Sequence, residues 1–141
     1  MNWKTLILMI KIPINEWVSH HQKRIGNILQ DFFNQKENSI LKDACEYSLL
    51  NGGKRIRSLL IYAVGEDELI ENKTHLDQLA LSIELIHAYS LIHDDLPSMD
   101  DDSLRRGKPS CHIKFNEGQA ILAGDALQSL AFEVLSNDNL N

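Results

Sequence analysis

From Ile14 onward the apolar side chains return at steps of three and four residues, through Trp17, Val18, Ile25, Ile28, Leu29 and Phe32 to Phe33. Such spacing lays an apolar stripe along one face of an α-helix. Pro13 and Asn15 suit its start. Ser39 predicts the N-cap of a second helix, because a serine hydroxyl can take one of the backbone N–H groups that a first turn leaves unpaired. Ile40, Leu41, Ala44 and Ser48 share one side of that helix, and Gly52 with Gly53 would stop it. A third helix carries Ile56, Leu59, Leu60, Ala63 and Val64, with Gly65 expected as its C-terminal cap.

The charged, aperiodic stretch from Glu66 to Lys73 predicts a connecting loop. Thr74, followed three residues later by Asp77, resembles a capping box that opens a fourth helix. Along it Leu76, Leu79, Ala80, Ile83, His87, Ser90 or Leu91, and Asp94 share a face that begins apolar and ends in chemistry. Pro97 has no N–H and clashes with the turn before it, so a break is expected nearby. Gly107 and Pro109 mark another loop. A fifth helix is expected from about Asn116, burying Ala120, Ile121, Leu127, Leu130, Ala131 and Val134. No strand alternation and no internal repeat is visible, which makes the expected fold class all-α.

A chain of 141 residues accommodates one domain, and 43% hydrophobic with 24% charged residues is the composition of a folded one. The expected division is a lead-in over residues 1–13 and a helical domain over 14–141. The net charge of −6 disfavours bulk attraction to nucleic acid or anionic lipid, so any anionic ligand must be met by local cations or by a metal. Leu6 to Ile10 is apolar, but Lys11 and Pro13 interrupt it well short of the roughly 18 residues that would span a bilayer. A cytoplasmic protein with no membrane span is expected. Cys45 and Cys111 form neither a CxxC pair nor a disulfide framework, which fits packing residues in a reducing compartment.

The sharpest chemical signal is Asp94, Asp95, Asp100, Asp101 and Asp102, five carboxylates within nine residues at the end of a mostly apolar helix. Like charges that close repel, and a hard divalent cation with oxygen ligands is the natural remedy. A solvated acidic loop is the plainer reading. Arg105, Arg106 and Lys108 follow at once, and an acidic cluster beside a basic one suits a metal–diphosphate site, in which arginine forks grip the oxygens that the metal leaves. Salt bridges between the two clusters are the alternative. Gly52-Gly53-Lys54-Arg55-Ile56-Arg57 adds a second basic element at a helix junction, where glycines permit positive φ and helix amides can face an anion. Lys54 and Arg57 would share a helical face. The spacing is not that of a Walker A loop. His87 lies two turns before Asp94, about 10 Å along the axis, and reads as a packed histidine or a diphosphate ligand.

The run ELIHAYSLIHDDLPSMDDDSLRRGKPSCHIKF, the upstream GGKRIR and the downstream AILAGDALQSLAF together resemble the bacterial short-chain polyprenyl diphosphate synthases, farnesyl diphosphate synthases above all. The resemblance runs from about Asn15 to Leu135. It implies the N-terminal half of the isoprenoid-synthase helical bundle and a Mg²⁺-dependent prenyl transfer that joins isopentenyl diphosphate to an allylic diphosphate. Asp94, Asp95 and Asp100 would be catalytic, with Asp94 and Asp100 as Mg²⁺ ligands. Arg105 would hold the allylic diphosphate, and Lys54, Arg57, His87 and Arg106 isopentenyl diphosphate. Tyr89, five residues before the first aspartate, would limit product length to fifteen carbons. A homodimer is implied for the full-length family.

Members of that family are roughly twice as long and carry a second aspartate-rich motif, for which Asp125 is no substitute. The second half is therefore expected to be absent and the activity of the chain itself to be in question. A non-catalytic half-synthase that pairs with another subunit is the alternative. Ser58 stands where a proline is usual after GGKRxR, and Ser103 where the aspartate run often continues. A terpene cyclase fits GGKRIR and LRRG less well.

Overall fold

The computed structural model describes residues 13–67 and 73–136. Apart from Pro13, the expected lead-in with its apolar Leu6 to Ile10 lies outside the described residues, as do positions 68–72 of the expected loop. Six helices and one short hairpin follow in order: α1 (Ile14–Asn34), α2 (Ile40–Leu50), α3 (Ile56–Asp67), α4 (Lys73–Asp94), β1 (Leu104–Arg105), β2 (Lys108–Pro109), α5 (Cys111–Phe115) and α6 (Glu117–Ser136). The all-α expectation stands, with a two-residue antiparallel pairing added.

Helix α4 is the centre. It packs along α6 most extensively and also touches α1, α2 and α3. The contact with α6 is close because its residues are small: Ala80 and Ala88 on one helix, Ala120, Ala123, Ala131 and Gly124 on the other, all buried. A Cβ on Gly124 would lie 2.2 Å from His93 Nε2, so the glycine admits that ring. From the other side α1 buries His21, Ile25, Leu29 and Phe33 at four-residue steps. Ser39 caps α2 as expected, its hydroxyl accepting from the Lys42 N–H at 3.1 Å. The two buried thiols, Cys45 and Cys111, are free; burial pushes Cys45 up to about 12.

Several expectations change. Gly65 does not cap α3, which runs on to Asp67; a Cβ there would meet Leu76 Cδ2 at 2.2 Å, so this glycine serves helix–helix approach. On α3 the inward residues are Ser58, Leu59 and Tyr62, while Ile56, Leu60, Ala63 and Val64 face outward. Thr74 lies inside the first turn of α4, and Asp77 reaches sideways, accepting from Tyr62 Oη at 2.9 Å and pairing with Arg24 Nε at 2.8 Å. The expected fifth helix is α6, which begins at Glu117; the loop expected before it holds a further short helix, α5, and the two are separated at Asn116, whose φ is 90°. Ile14, Ile40, Leu79 and Ile121 are exposed. Among the described residues no helix is long and apolar enough to cross a membrane.

His21 sits between Trp17 and Tyr62, with ring centroids 4.4 and 4.6 Å away. It is 2% exposed, and its Nε2 lies 3.2 Å from Glu66 Oε1 while Nδ1 is buried with no partner among the described residues. Burial holds its pKa below the usual value against the upward pull of Glu66. The unfolded chain therefore binds a proton that the folded chain resists, and stability falls as pH drops below about 6.5. Urea midpoints measured from pH 7.5 to 5.5 should fall more steeply for the parent than for His21→Phe, which fills the same slot without titrating. Equal slopes would refute this assignment.

Candidate active site

Helix α4 ends at Asp94, and the chain folds back over that end through Met99 N–H to Leu96 O (2.9 Å), Asp100 N–H to Asp94 O (2.8 Å) and Asp101 N–H to Leu96 O (3.1 Å). Asp100 is thereby set beside Asp94 although six residues separate them. The five carboxylates do not act as one set. Asp94 is half-buried, Asp100, Asp101 and Asp102 are exposed, and Asp95 is buried. Among the described residues no three His, Cys, Asp or Glu side chains converge as a cation cage. Mg²⁺ needs no such cage, since it is held by one or two carboxylates and completes its octahedron with water and phosphate oxygens. The oxygen donors of Asp94 and Asp100, joined by one backbone hydrogen bond, fit that demand.

Next comes the hairpin. Arg106 (φ 55°) and Gly107 (φ 76°) form its turn, a two-residue loop in which positive φ at both positions matches strand twist. Three hydrogen bonds dock the hairpin on the end of α2: Tyr47 Oη to Pro109 O at 2.8 Å, Asn51 Nδ2 to Arg105 O at 3.4 Å, and Arg106 Nη1 to Gly52 O. Gly52 and Gly53 have φ of 80° and 123°, and a Cβ on Gly53 would lie 2.9 Å from the Arg106 guanidinium. The two arginines diverge. Arg105 Nε donates to both oxygens of Asp95 at 3.0 and 3.1 Å, and its Nη2 donates to Oδ1. The Asp95 carboxylate raises the Arg105 pKa, whereas burial lowers that of Arg106.

On its other side Arg106 joins Lys54, Arg55, Ile56, Arg57, Glu84 and His87 around a cavity of about 140 Å³. Lys54 precedes α3 rather than sharing a helical face with Arg57; the cavity unites them instead. Arg55, itself at φ 54°, turns away to bond Leu49 O at 2.8 Å and Glu84 Oε2 at 2.9 Å. Ser58, which stands where a proline is usual after GGKRxR, donates to Glu84 Oε1 at 2.6 Å. His87 is pushed below the ordinary histidine value first by burial and then by Arg57, so the neutral ring is favoured. Tyr89, half-buried, stands edge-on to His93 at 5.0 Å, and His93 Nε2 lies 3.1 Å from Ile121 O.

Lys54, Arg57, His87 and Arg106 thus line one cavity, and Asp94, Asp95, Asp100 and Arg105 gather in the adjoining turn. Sequence reasoning missed Glu84, Tyr47, Asn51 and His93. Glu84 did leave a signal: an acid at a position flanked by Leu81, Leu85 and Ala88, all of them buried.

The family model of polyprenyl synthetases, described as "Polyprenyl synthetase", matches residues 38–140. The chain belongs to the polyprenyl synthetase family. It is 55% identical to a farnesyl diphosphate synthase of Haemophilus influenzae over 124 residues, 86% of this chain and 42% of the relative. It is equally identical to the Escherichia coli farnesyl diphosphate synthase over 104 residues, 34% of that protein. In structure it superposes on a geranyltransferase from Legionella pneumophila with a TM-score of 0.83 and 44% identity, covering 89% of this chain and 45% of the other. A Thermotoga maritima geranyltranstransferase gives 0.82 at 39% identity, again with 45% of that chain covered. The fold is that of the isoprenoid synthases, and these relatives are transferases. The chain spans less than half the length of each.

Arg55 and Glu84 have side chains 11% and 2% exposed. Removing one partner of a buried pair strands the other, at a cost of about 3–5 kcal/mol. Urea unfolding of Glu84→Ala should show a loss of that size, with Glu84→Gln losing less because it can still accept from Ser58.

Proposed function

We infer that the chain carries the diphosphate-handling part of a cytoplasmic prenyl transferase of the farnesyl diphosphate synthase type, which joins isopentenyl diphosphate to a dimethylallyl or geranyl diphosphate. One observation supports this most: a single hairpin places Arg105 beside the acidic turn and Arg106 in the basic cavity, so two anionic groups can be held side by side.

In this reading Asp94 and Asp100 hold Mg²⁺, which when bound neutralises a departing diphosphate as the allylic C–O bond breaks. Arg105 grips the allylic diphosphate, and Arg106, Lys54 and Arg57 grip isopentenyl diphosphate through charge-assisted hydrogen bonds. His87, kept neutral by its surroundings, donates one ring N–H to the same group. Tyr89 closes the hydrocarbon path on α4 and sets a fifteen-carbon product. Asp95 stands beside this set as the partner of Arg105, and the full-length protein is a homodimer in the manner of its family.

A second reading rests on the outward row Ile56, Leu60 and Val64 on α3, each more than half exposed. A contiguous apolar surface of that kind marks an interaction site. It favours a half-synthase that binds another subunit and does not catalyse alone.

Calorimetry with MgCl₂ and inorganic pyrophosphate should show magnesium-dependent binding that disappears in Asp94→Ala. Arg57→Ala should weaken isopentenyl diphosphate binding by about 1.5–3 kcal/mol, the size of a charge-assisted hydrogen bond. Transfer of labelled isopentenyl diphosphate by the purified chain separates the readings: product means a working transferase, and binding without product favours the half-synthase. No pyrophosphate binding would defeat the first reading.

A further inference from the structure

Of the five aspartates in the acidic turn, Asp95 alone is buried, at 2% exposure. A carboxylate withdrawn that far from water must be paired, and Arg105 pairs it along one edge of the guanidinium, through Nε to both oxygens and Nη2 to Oδ1. Guanidinium is a rigid plane with five N–H groups, so bonding the Nε–Nη2 edge fixes the plane and leaves the end-on edge, Nη1 and the outer hydrogen of Nη2. Nη2 also lies 3.5 Å from Oδ2 of the exposed Asp102, a contact that a stronger anion can displace. The backbone of Arg105 is held as well, since Asn51 Nδ2 donates to its carbonyl and Tyr47 pins the hairpin through Pro109.

We propose that Asp95 is a positioning residue and not a metal ligand: it clamps Arg105 so that the end-on edge of the guanidinium faces a diphosphate oxygen, leaving the cation to Asp94 and Asp100. This rests on the proposed function and gives Asp95 a role within it. The long arginine side chain is ordered when the chain folds, so its rotamer freedom is not lost again when the anion binds.

Inorganic pyrophosphate is titrated calorimetrically into the parent, Asp95→Asn and Asp94→Ala at a series of MgCl₂ concentrations. Asp95→Asn should bind about five- to tenfold more weakly at every magnesium concentration, the range expected for one loosened side chain, with the half-maximal magnesium concentration unchanged. Asp94→Ala should shift the magnesium dependence itself. If Asp95→Asn shifts it in the same way, Asp95 is a metal ligand and the proposal is overturned. Equal or tighter binding by Asp95→Asn makes Asp95 a mere competitor for Arg105 and overturns it too. Both outcomes leave the proposed function standing, whereas a parent that binds no pyrophosphate defeats that function and this proposal together. A measurement on the unsubstituted chain guards against misfolding of the variant. The ¹H–¹⁵N resonance of Arg105 Nε–H, assigned through Arg105→Lys, should exchange slowly both free and at pyrophosphate saturation. Its disappearance on saturation would mean that the Asp95 pair opens, which the proposal forbids.

Discussion

A carboxylate taken out of water needs a cation beside it, and α4 with the turn after it carries two such groups, Glu84 and Asp95. Each is met by an arginine from a different loop, Arg55 after the double glycine and Arg105 in the hairpin. The two pairs tie both loops to one helix, and the rest of the site follows from that. Lys54 and Arg57 flank Arg55, Arg106 follows Arg105, and all of them are carried to α4, where His87 and Asp94 already stand. Buried ion pairs of this kind contribute little net stability compared with apolar packing. Here their contribution is arrangement: the Gly52–Arg55 loop has no regular structure of its own and the hairpin only two residues in each strand, so Glu84 on α4 and Asp95 just after it fix where the arginines go.

Helix positions were largely legible, because three-and-four spacing, Ser39 as a cap and the Gly52–Gly53 stop are local signals. Which face of a helix is covered was not. Ile56, Leu60 and Val64 look like core residues in the sequence, since periodicity reports that a stripe is apolar and says nothing of what lies over it. Gly65 illustrates the same limit, for a glycine that ends a helix and one that lets Leu76 come close look alike until the neighbour is placed. At the site the cations were legible as clusters of charge, and Lys54, Arg57, His87 and Arg106 do line one cavity. The residues that hold them were not. Glu84, Asn51 and Tyr47 act through partners 29, 54 and 62 residues away, which no local pattern encodes.

The family places more chain beyond the matched region than within it, since relatives are covered to 34–45%. Ile56, Leu60 and Val64 on α3 and Phe132 on α6 are exposed, while Lys54, Arg57, His87 and Arg106 line one cavity within the matched region.

Three non-glycine residues at the site, Arg55, Asp101 and Arg106, lie in the left-handed region of backbone space. Each such residue costs of order 1–2 kcal/mol against a right-handed alternative, a cost sustained only while the surrounding contacts hold. The site loops therefore store tension that the helices behind them do not share. Thermal fluctuation will release it first, so that the amides of these loops trade hydrogen for deuterium by subglobal openings far cheaper than melting the α4–α6 seam. Local looseness in these loops then comes from three backbone angles.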